Sequence, residues 1–172
     1  MKLFLFAFLF FAGSLTARSQ SLEECRKWFD LGIEDESYAE KLAQSLSKWS
    51  QKSSIQTAYW AASQTLLAKH AWNPATKLSL ISDANVAYER CVLQNPESME
   101  IRYLRFSYER NLPSFLQAGN HKQEDVKKMV ALFRQNKFRD LPAPLAKKMR
   151  DSLLLFGSCS ENDRLFLKSL SL

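Results

Sequence analysis

The segment Ala84-Asn85-Val86-Ala87-Tyr88-Glu89-Arg90-Cys91-Val92-Leu93-Gln94-Asn95-Pro96-Glu97-Ser98 repeats apolar or small side chains three and four positions apart, at 84, 88, 91 and 92. That spacing brings them onto one face of an α-helix, because 3.6 residues complete a turn. Asn95-Pro96 ends the run, since proline lacks the amide that a continuing helix needs and is tolerated in a first helical turn. Extending upstream, Leu78 and Ile81 continue the same face. Downstream, Ile101, Leu104, Tyr108 and Leu112 begin another stripe that Pro113 ends.

The rest of the chain reads in the same way. Leu22, Cys25, Trp28 and Phe29 mark a first helix, opened by Ser21 with Glu24 as a reciprocal capping pair and stopped by Gly32. Ser37 with Glu40 opens a second, carrying Tyr38, Leu42, Leu46 and Trp49, and Ser53 with Gln56 opens a third, carrying Ile55, Tyr59, Ala62 and Leu66 up to the Asn73-Pro74 break. After the fourth and fifth helices and a loop at Gly119-Asn120, a sixth carries Val126, Met129, Val130 and Phe133. A seventh follows Pro142 and Pro144 with Leu145, Met149, Leu153 and Phe156, and stops at Gly157; Ser160 with Asp163 opens a last one with Leu165 and Leu170. Residues 20–172 hold only four Val, four Ile and three Thr, so strand-favouring side chains are scarce. The expectation is an all-α domain of about eight short helices joined as antiparallel hairpins, either a short α-solenoid or a compact helical array.

The amino terminus has a different character. Met1-Lys2, the apolar run Leu3 to Ala12, and Gly13-Ser14-Leu15-Thr16-Ala17-Arg18-Ser19 follow the order of a secretory leader, with small side chains at 17 and 19 ahead of a cut before Gln20. The predicted organisation is a signal peptide over 1–19 and a single domain over 20–172, exported to the periplasm or the medium. Loss of Lys2 and Arg18 lowers the formal charge from +6 to +4. The remaining charge is uneven: residues 121–150 carry nine Lys or Arg against three acids, and residues 20–50 seven acids against four bases. Such asymmetry suits an acidic or phosphate-bearing partner, or simply solvated helix faces; export argues against nucleic acid. Cys25, Cys91 and Cys159 allow at most one internal bridge, and their spacings of 66 and 68 are not those of metal ligands, so they read first as small apolar fillers.

The segment 84–98 also resembles the second helix and closing turn of a tetratricopeptide repeat, with Ala84, Tyr88, Cys91 and Pro96 in the small, aromatic, small and proline positions. Tyr59, Ala62, Ser63 and Leu66 are similar to a first repeat helix, and Ile101, Leu104 and Tyr108 to the next, although Arg105 stands where that pattern has glycine. The likeness spans about residues 55–112, and the stretch from Leu66 to Ala84 is longer than in a repeat of about 34 residues. It implies a concave groove lined by Thr57, Trp60, Gln64 and Leu67 on one helix and by Arg102, Phe106 and Glu109 on the next, with Trp60 and Arg102 as the residue types that anchor interfaces.

Groups for catalysis do not converge in the sequence. His70 and His121 are the only histidines, and no glycine-rich phosphate loop, nucleophile elbow or zinc-spaced cluster occurs. Glu124-Asp125 and Glu34-Asp35-Glu36 sit at helix starts, where the macrodipole favours negative charge. The sequence therefore points to a non-catalytic module, without cofactor or metal, that binds a protein or peptide in a bacterial envelope. A secreted helical-bundle ligand and an envelope hydrolase are the alternatives.

Overall fold

A computed structural model of the protein describes residues 13–48, 52–112 and 121–172. Among these, eight α-helices are present and no strand: α1 (Gly13–Leu31), α2 (Glu36–Ser47), α3 (Ser54–His70), α4 (Pro74–Gln94), α5 (Met99–Glu109), α6 (Lys122–Arg134), α7 (Ala143–Phe156) and α8 (Glu161–Ser169). Residues 1–12, which include the apolar run Leu3 to Ala12 of the expected leader, lie outside the described residues, as do Trp49, Pro113 and the Gly119-Asn120 loop.

The expected stops and starts are mostly in use, with differences that have local causes. Gly32 follows α1, donating its amide to the Trp28 carbonyl at 2.8 Å. A Cβ there would meet Trp28 O at 2.9 Å, Leu66 Cδ1 at 3.0 Å and Ala39 N at 3.1 Å, so two helices close on the turn only because the side chain is missing. Helix α1 begins at Gly13 rather than at Ser21, running through the expected Ser19-Gln20 cut. Asp35, not Ser37, caps α2, its Oδ1 accepting from the Ser37 amide at 2.9 Å. At α3 the capping pair holds: Ser53 N donates to Gln56 Oε1 at 2.8 Å. Asn73 caps α4 with Pro74 in its first turn, but Asn95 closes α4 and leaves the cap of α5 to Ser98. Between α6 and α7, Asn136 takes a left-handed conformation (φ 60°) and a 3-10 turn (Lys137–Asp140) follows, neither of which the hydrophobic pattern predicts. Asparagine tolerates that conformation where most side chains do not.

Two apolar clusters make the core. The first joins α1 to α5 and is rich in small residues: Ala58, Ala61 and Ala62 on α3 face Ala84 and Ala87 on α4, which lets the helices approach closely around Tyr59 and Tyr88. Phe29 meets Tyr59 edge-on with centroids 6.1 Å apart, and Tyr88 stacks on Tyr108 at 5.9 Å. The second cluster joins α5 to α6, α7 and α8 through Met99, Tyr103, Phe106, Met129, Phe133, Met149, Leu153 and Leu167. Three stripe assignments from the sequence fail here. Leu78, Phe156 and Leu165 are exposed, and Leu167 rather than Leu165 anchors α8, with Phe166 and Leu170 packed beside it on the second cluster.

Helix α5 belongs to both clusters. Ile101, Leu104 and Tyr108 point into the first, and Met99, Tyr103 and Phe106 into the second. Only Ser107 of its eleven residues is not buried, so its charged side chains are interior as well.

Candidate functional site

Four charged residues on a buried helix need partners, since a charge removed from water is costly unless it is paired and hydrogen-bonded. Each α5 charge has one. Glu100 receives a two-pronged contact from Arg26 of α1, Nε to Oε1 at 2.8 Å and Nη2 to Oε2 at 2.9 Å, and Tyr59 of α3 donates its hydroxyl to Oε1 at 2.7 Å. The carboxylate hydrogen bond holds the Arg26 guanidinium more firmly charged than usual, while burial together with the neighbouring Glu100 pushes the Tyr59 phenol well above its ordinary range.

On the other side, Asp125 of α6 is fully buried between two arginines. Arg102 Nη1 donates to its Oδ1 at 2.7 Å; Arg105 donates from Nε to Oδ2 and from Nη2 to Oδ1, both at 2.7 Å. Arg102 also donates to Glu124 at 2.9 Å and, from Nε, to the Pro96 carbonyl at 2.8 Å. Burial works against the charge on Arg105, but the hydrogen bonds and field of Asp125 outweigh it and raise its pKa. The Arg102 hydrogen bond lowers the Glu124 carboxyl below its usual value, although Glu124 itself faces solvent. Glu109 completes the series, 2.9 Å from His121 Nδ1. Acid and base alternate through this belt, which binds α1, α3 and α6 to α5.

The seven predicted groove residues divide accordingly. Arg102 and Glu109 are spent on α6 and its cap, and Phe106 lies at 0 % exposure in the second cluster. As interior groups in a folded chain they offer no surface to a partner, and the expected groove contribution of α5 is corrected to an internal one. The cause is the second apolar layer, α6 to α8, which covers the face that an open solenoid would leave bare. On α3, Gln64 is buried and donates to Ser63 Oγ at 3.2 Å, whereas Thr57, Trp60 and Leu67 remain half-buried. Trp60 packs against the first cluster with part of its ring outside. These three are at i, i+3 and i+10, which keeps them on one edge of the helix.

What the sequence reading passed over is the belt itself. Glu124-Asp125 read as a dipole-favoured pair at a helix start; Asp125 is instead the most enclosed acid described. A second apolar stripe on α5, Met99, Tyr103 and Phe106 opposite Ile101, Leu104 and Tyr108, is the signal that marks a helix covered on both sides. All three cysteines are free thiols. Burial lifts Cys25 and Cys91 to about 11, and Cys91 Sγ donates to the Ser54 carbonyl at 3.2 Å.

Among the described residues no helix is long and apolar enough to cross a membrane, and no group of three or more His, Cys, Asp or Glu is placed to hold a metal ion. No protein-family model matches the chain, and neither a curated protein nor a solved structure shows significant similarity to it.

Proposed function

We propose that the protein is an exported, non-catalytic interaction module that receives a protein or peptide segment along the outer edge of α3, in the manner of a tetratricopeptide-like repeat. The observation that carries this reading is the Thr57–Trp60–Leu67 edge, which stays half-open on a helix that buries nine of its seventeen residues. Trp60 is anchored by the core behind it, so docking a ligand on its free face orders few new bonds. The close α3–α4 pair around Ala62, Ala84 and Tyr88, followed by α5, supports the repeat-like description.

Export rests on the leader-like sequence of residues 1–19. Among the described side chains of α1, those in the core are Leu22, Cys25, Trp28 and Phe29, all beyond the expected cut, so removal of the leader keeps them in the domain. An envelope partner follows from that compartment.

The test is capture from an envelope extract by the wild-type chain and by a Trp60→Ala, Leu67→Ala variant whose fold is verified by circular dichroism. Loss of one defined partner in the variant is expected. Undiminished capture of that partner refutes the α3 edge as the site. Recovery of the chain in the cytoplasmic fraction after expression with its own amino terminus refutes export.

A further inference from the structure

Gln56, Trp60 and Gln64 stand four residues apart on α3, so they form one row along the helix, with about 6 Å of axis between neighbours and about 12 Å between the two amides. The row shares its indole with the half-open Thr57–Trp60–Leu67 edge. Both glutamines are more than nine-tenths buried, at 8 % exposure each, and local hydrogen bonds fix which way each amide is turned. Gln56 Oε1 accepts from Ser53 N at 2.8 Å and so closes the cap of α3, which leaves its NH2 group with no acceptor among the described residues. Gln64 Nε2 donates to Ser63 Oγ at 3.2 Å, and Ser63 Oγ in turn donates to the Trp60 carbonyl at 2.6 Å. Gln64 Oε1 is left with no donor among the described residues.

Buried amide groups are normally hydrogen-bonded, because taking them out of water unpaired is costly. Here a spare donor stands at one end of the row, an aromatic plate in the middle and a spare acceptor at the other end. No charged side chain occurs on α3 from Ser53 to Ala68, and Arg26 and Glu100, which meet beside Tyr59, are spent on each other. The row therefore suits neutral polar groups and one apolar side chain. A polypeptide main chain supplies both kinds of neutral group, one acceptor and one donor per residue. Extended, it rises about 3.3 Å per residue, so about four residues cover the 12 Å between the amides. An α-helical ligand lacks those groups, since its carbonyls and amides are bonded internally except at the ends.

We infer that the α3 edge reads an extended peptide through its main chain: a ligand carbonyl accepts from Gln56 Nε2, an N–H about four residues along donates to Gln64 Oε1, and an apolar side chain between them lies on Trp60. This rests on the α3 edge being the binding site. Both amides are already held by Ser53 and Ser63, so the contacts freeze few protein rotamers. Main-chain groups are common to all residues, so the edge accepts a class of sequences and not one sequence. That class is defined by one apolar position and by the absence of proline at the donating residue.

The probe is a phage-displayed library of random dodecapeptides selected on the full chain, followed by fluorescence anisotropy with the synthetic winner. Gln56→Glu keeps the acceptor that Ser53 needs and removes the donor; Gln64→Met keeps the volume and removes the acceptor. Each is expected to weaken binding by about three- to tenfold. Replacing the peptide's amides by esters one at a time should find one position that costs the wild type the same factor and costs Gln64→Met nothing further. Such non-additivity comes from direct contact, so a variant that is merely less stable does not imitate it. Undiminished binding by both glutamine variants, an ester scan with no position coupled to Gln64, or a winner that binds as a helix by circular dichroism overturns the inference. If Trp60→Ala abolishes binding while both glutamine variants retain it, the α3 edge stands and the main-chain readout falls. A library that yields no peptide dependent on Trp60 removes both.

Discussion

Replacing Asp125 by asparagine is the sharpest probe of the charged belt. The amide keeps the shape of the carboxylate but removes the charge that three arginine N–H groups address at 2.7 Å. It also presents an NH2 group to donors that need an acceptor. Arg102 and Arg105 are 5 % and 4 % exposed, so water cannot take over. Breaking a buried pair from one side typically costs about 3–5 kcal/mol. Glu124 moderates the loss: it already accepts from Arg102 at 2.9 Å and approaches Arg105 to 3.7 Å. The lower end of the range, about 3 kcal/mol, is therefore expected. That is a large share of the ~5–15 kcal/mol available to a domain, yet leaves the chain folded. Urea unfolding followed by circular dichroism reads the change as a lower midpoint at constant slope. A fall in melting temperature of about 6–12 °C should accompany it. Exchanging the whole cluster for apolar residues (Arg102→Met, Arg105→Met, Asp125→Leu) is expected to recover most of the loss, because no orphaned charge remains. If Asp125→Asn costs less than about 1 kcal/mol, the two arginines have another route to solvent and the reasoning fails.

Three further outcomes are expected. Tyr88 is fully enclosed and its hydroxyl has no hydrogen-bond partner among the described residues, so Tyr88→Phe should be neutral or stabilising by up to about 1 kcal/mol, and a measurable loss in urea unfolding would reveal a hidden acceptor. Native-state alkylation followed by mass spectrometry should modify the half-buried Cys159 well before Cys25 and Cys91, whose thiols burial holds near 11; equal rates for all three would contradict the packing. Hydrogen bonds from Arg102 to Glu124, and from Ser160 and Arg134 to Asp163, depress both carboxyls in the folded state. Their contribution is therefore present above the unfolded carboxyl values and lost as pH falls through the folded ones. Urea midpoints should drop on acidification through the carboxylate range, and Glu124→Gln should flatten that dependence; an unchanged slope counts against the pairing.

Helix class and helix number were legible because apolar spacing and capping residues are local properties. Ser53 with Gln56, Asn73 with Pro74, Gly32 and Gly157 all stand at helix boundaries. Where two neighbouring residues can both cap, as Asp35 and Ser37 can, the sequence does not decide, and the structure selects Asp35, whose side chain accepts from the Ser37 amide two residues ahead. Burial of charge was not legible. Arg102, Arg105 and Glu109 look like a solvent-facing row until the helix that supplies Asp125 and His121 is in place. For the same reason the expected groove divides: Thr57, Trp60 and Leu67 of α3 stay half-buried, Gln64 is buried, and the α5 members disappear beneath a layer more distant along the chain.

Helix α5 is shared property, and this has a consequence for how the chain can be divided. A break between α5 and α6 yields an amino-terminal piece that keeps its own packed interior but bares Met99, Tyr103 and Phe106, along with two arginines lacking their acid. The complementary piece bares Asp125 and the other half of the same apolar seam. Neither half is content alone, and each carries the imprint of the other; expressed as separate polypeptides they are built to find one another and rejoin.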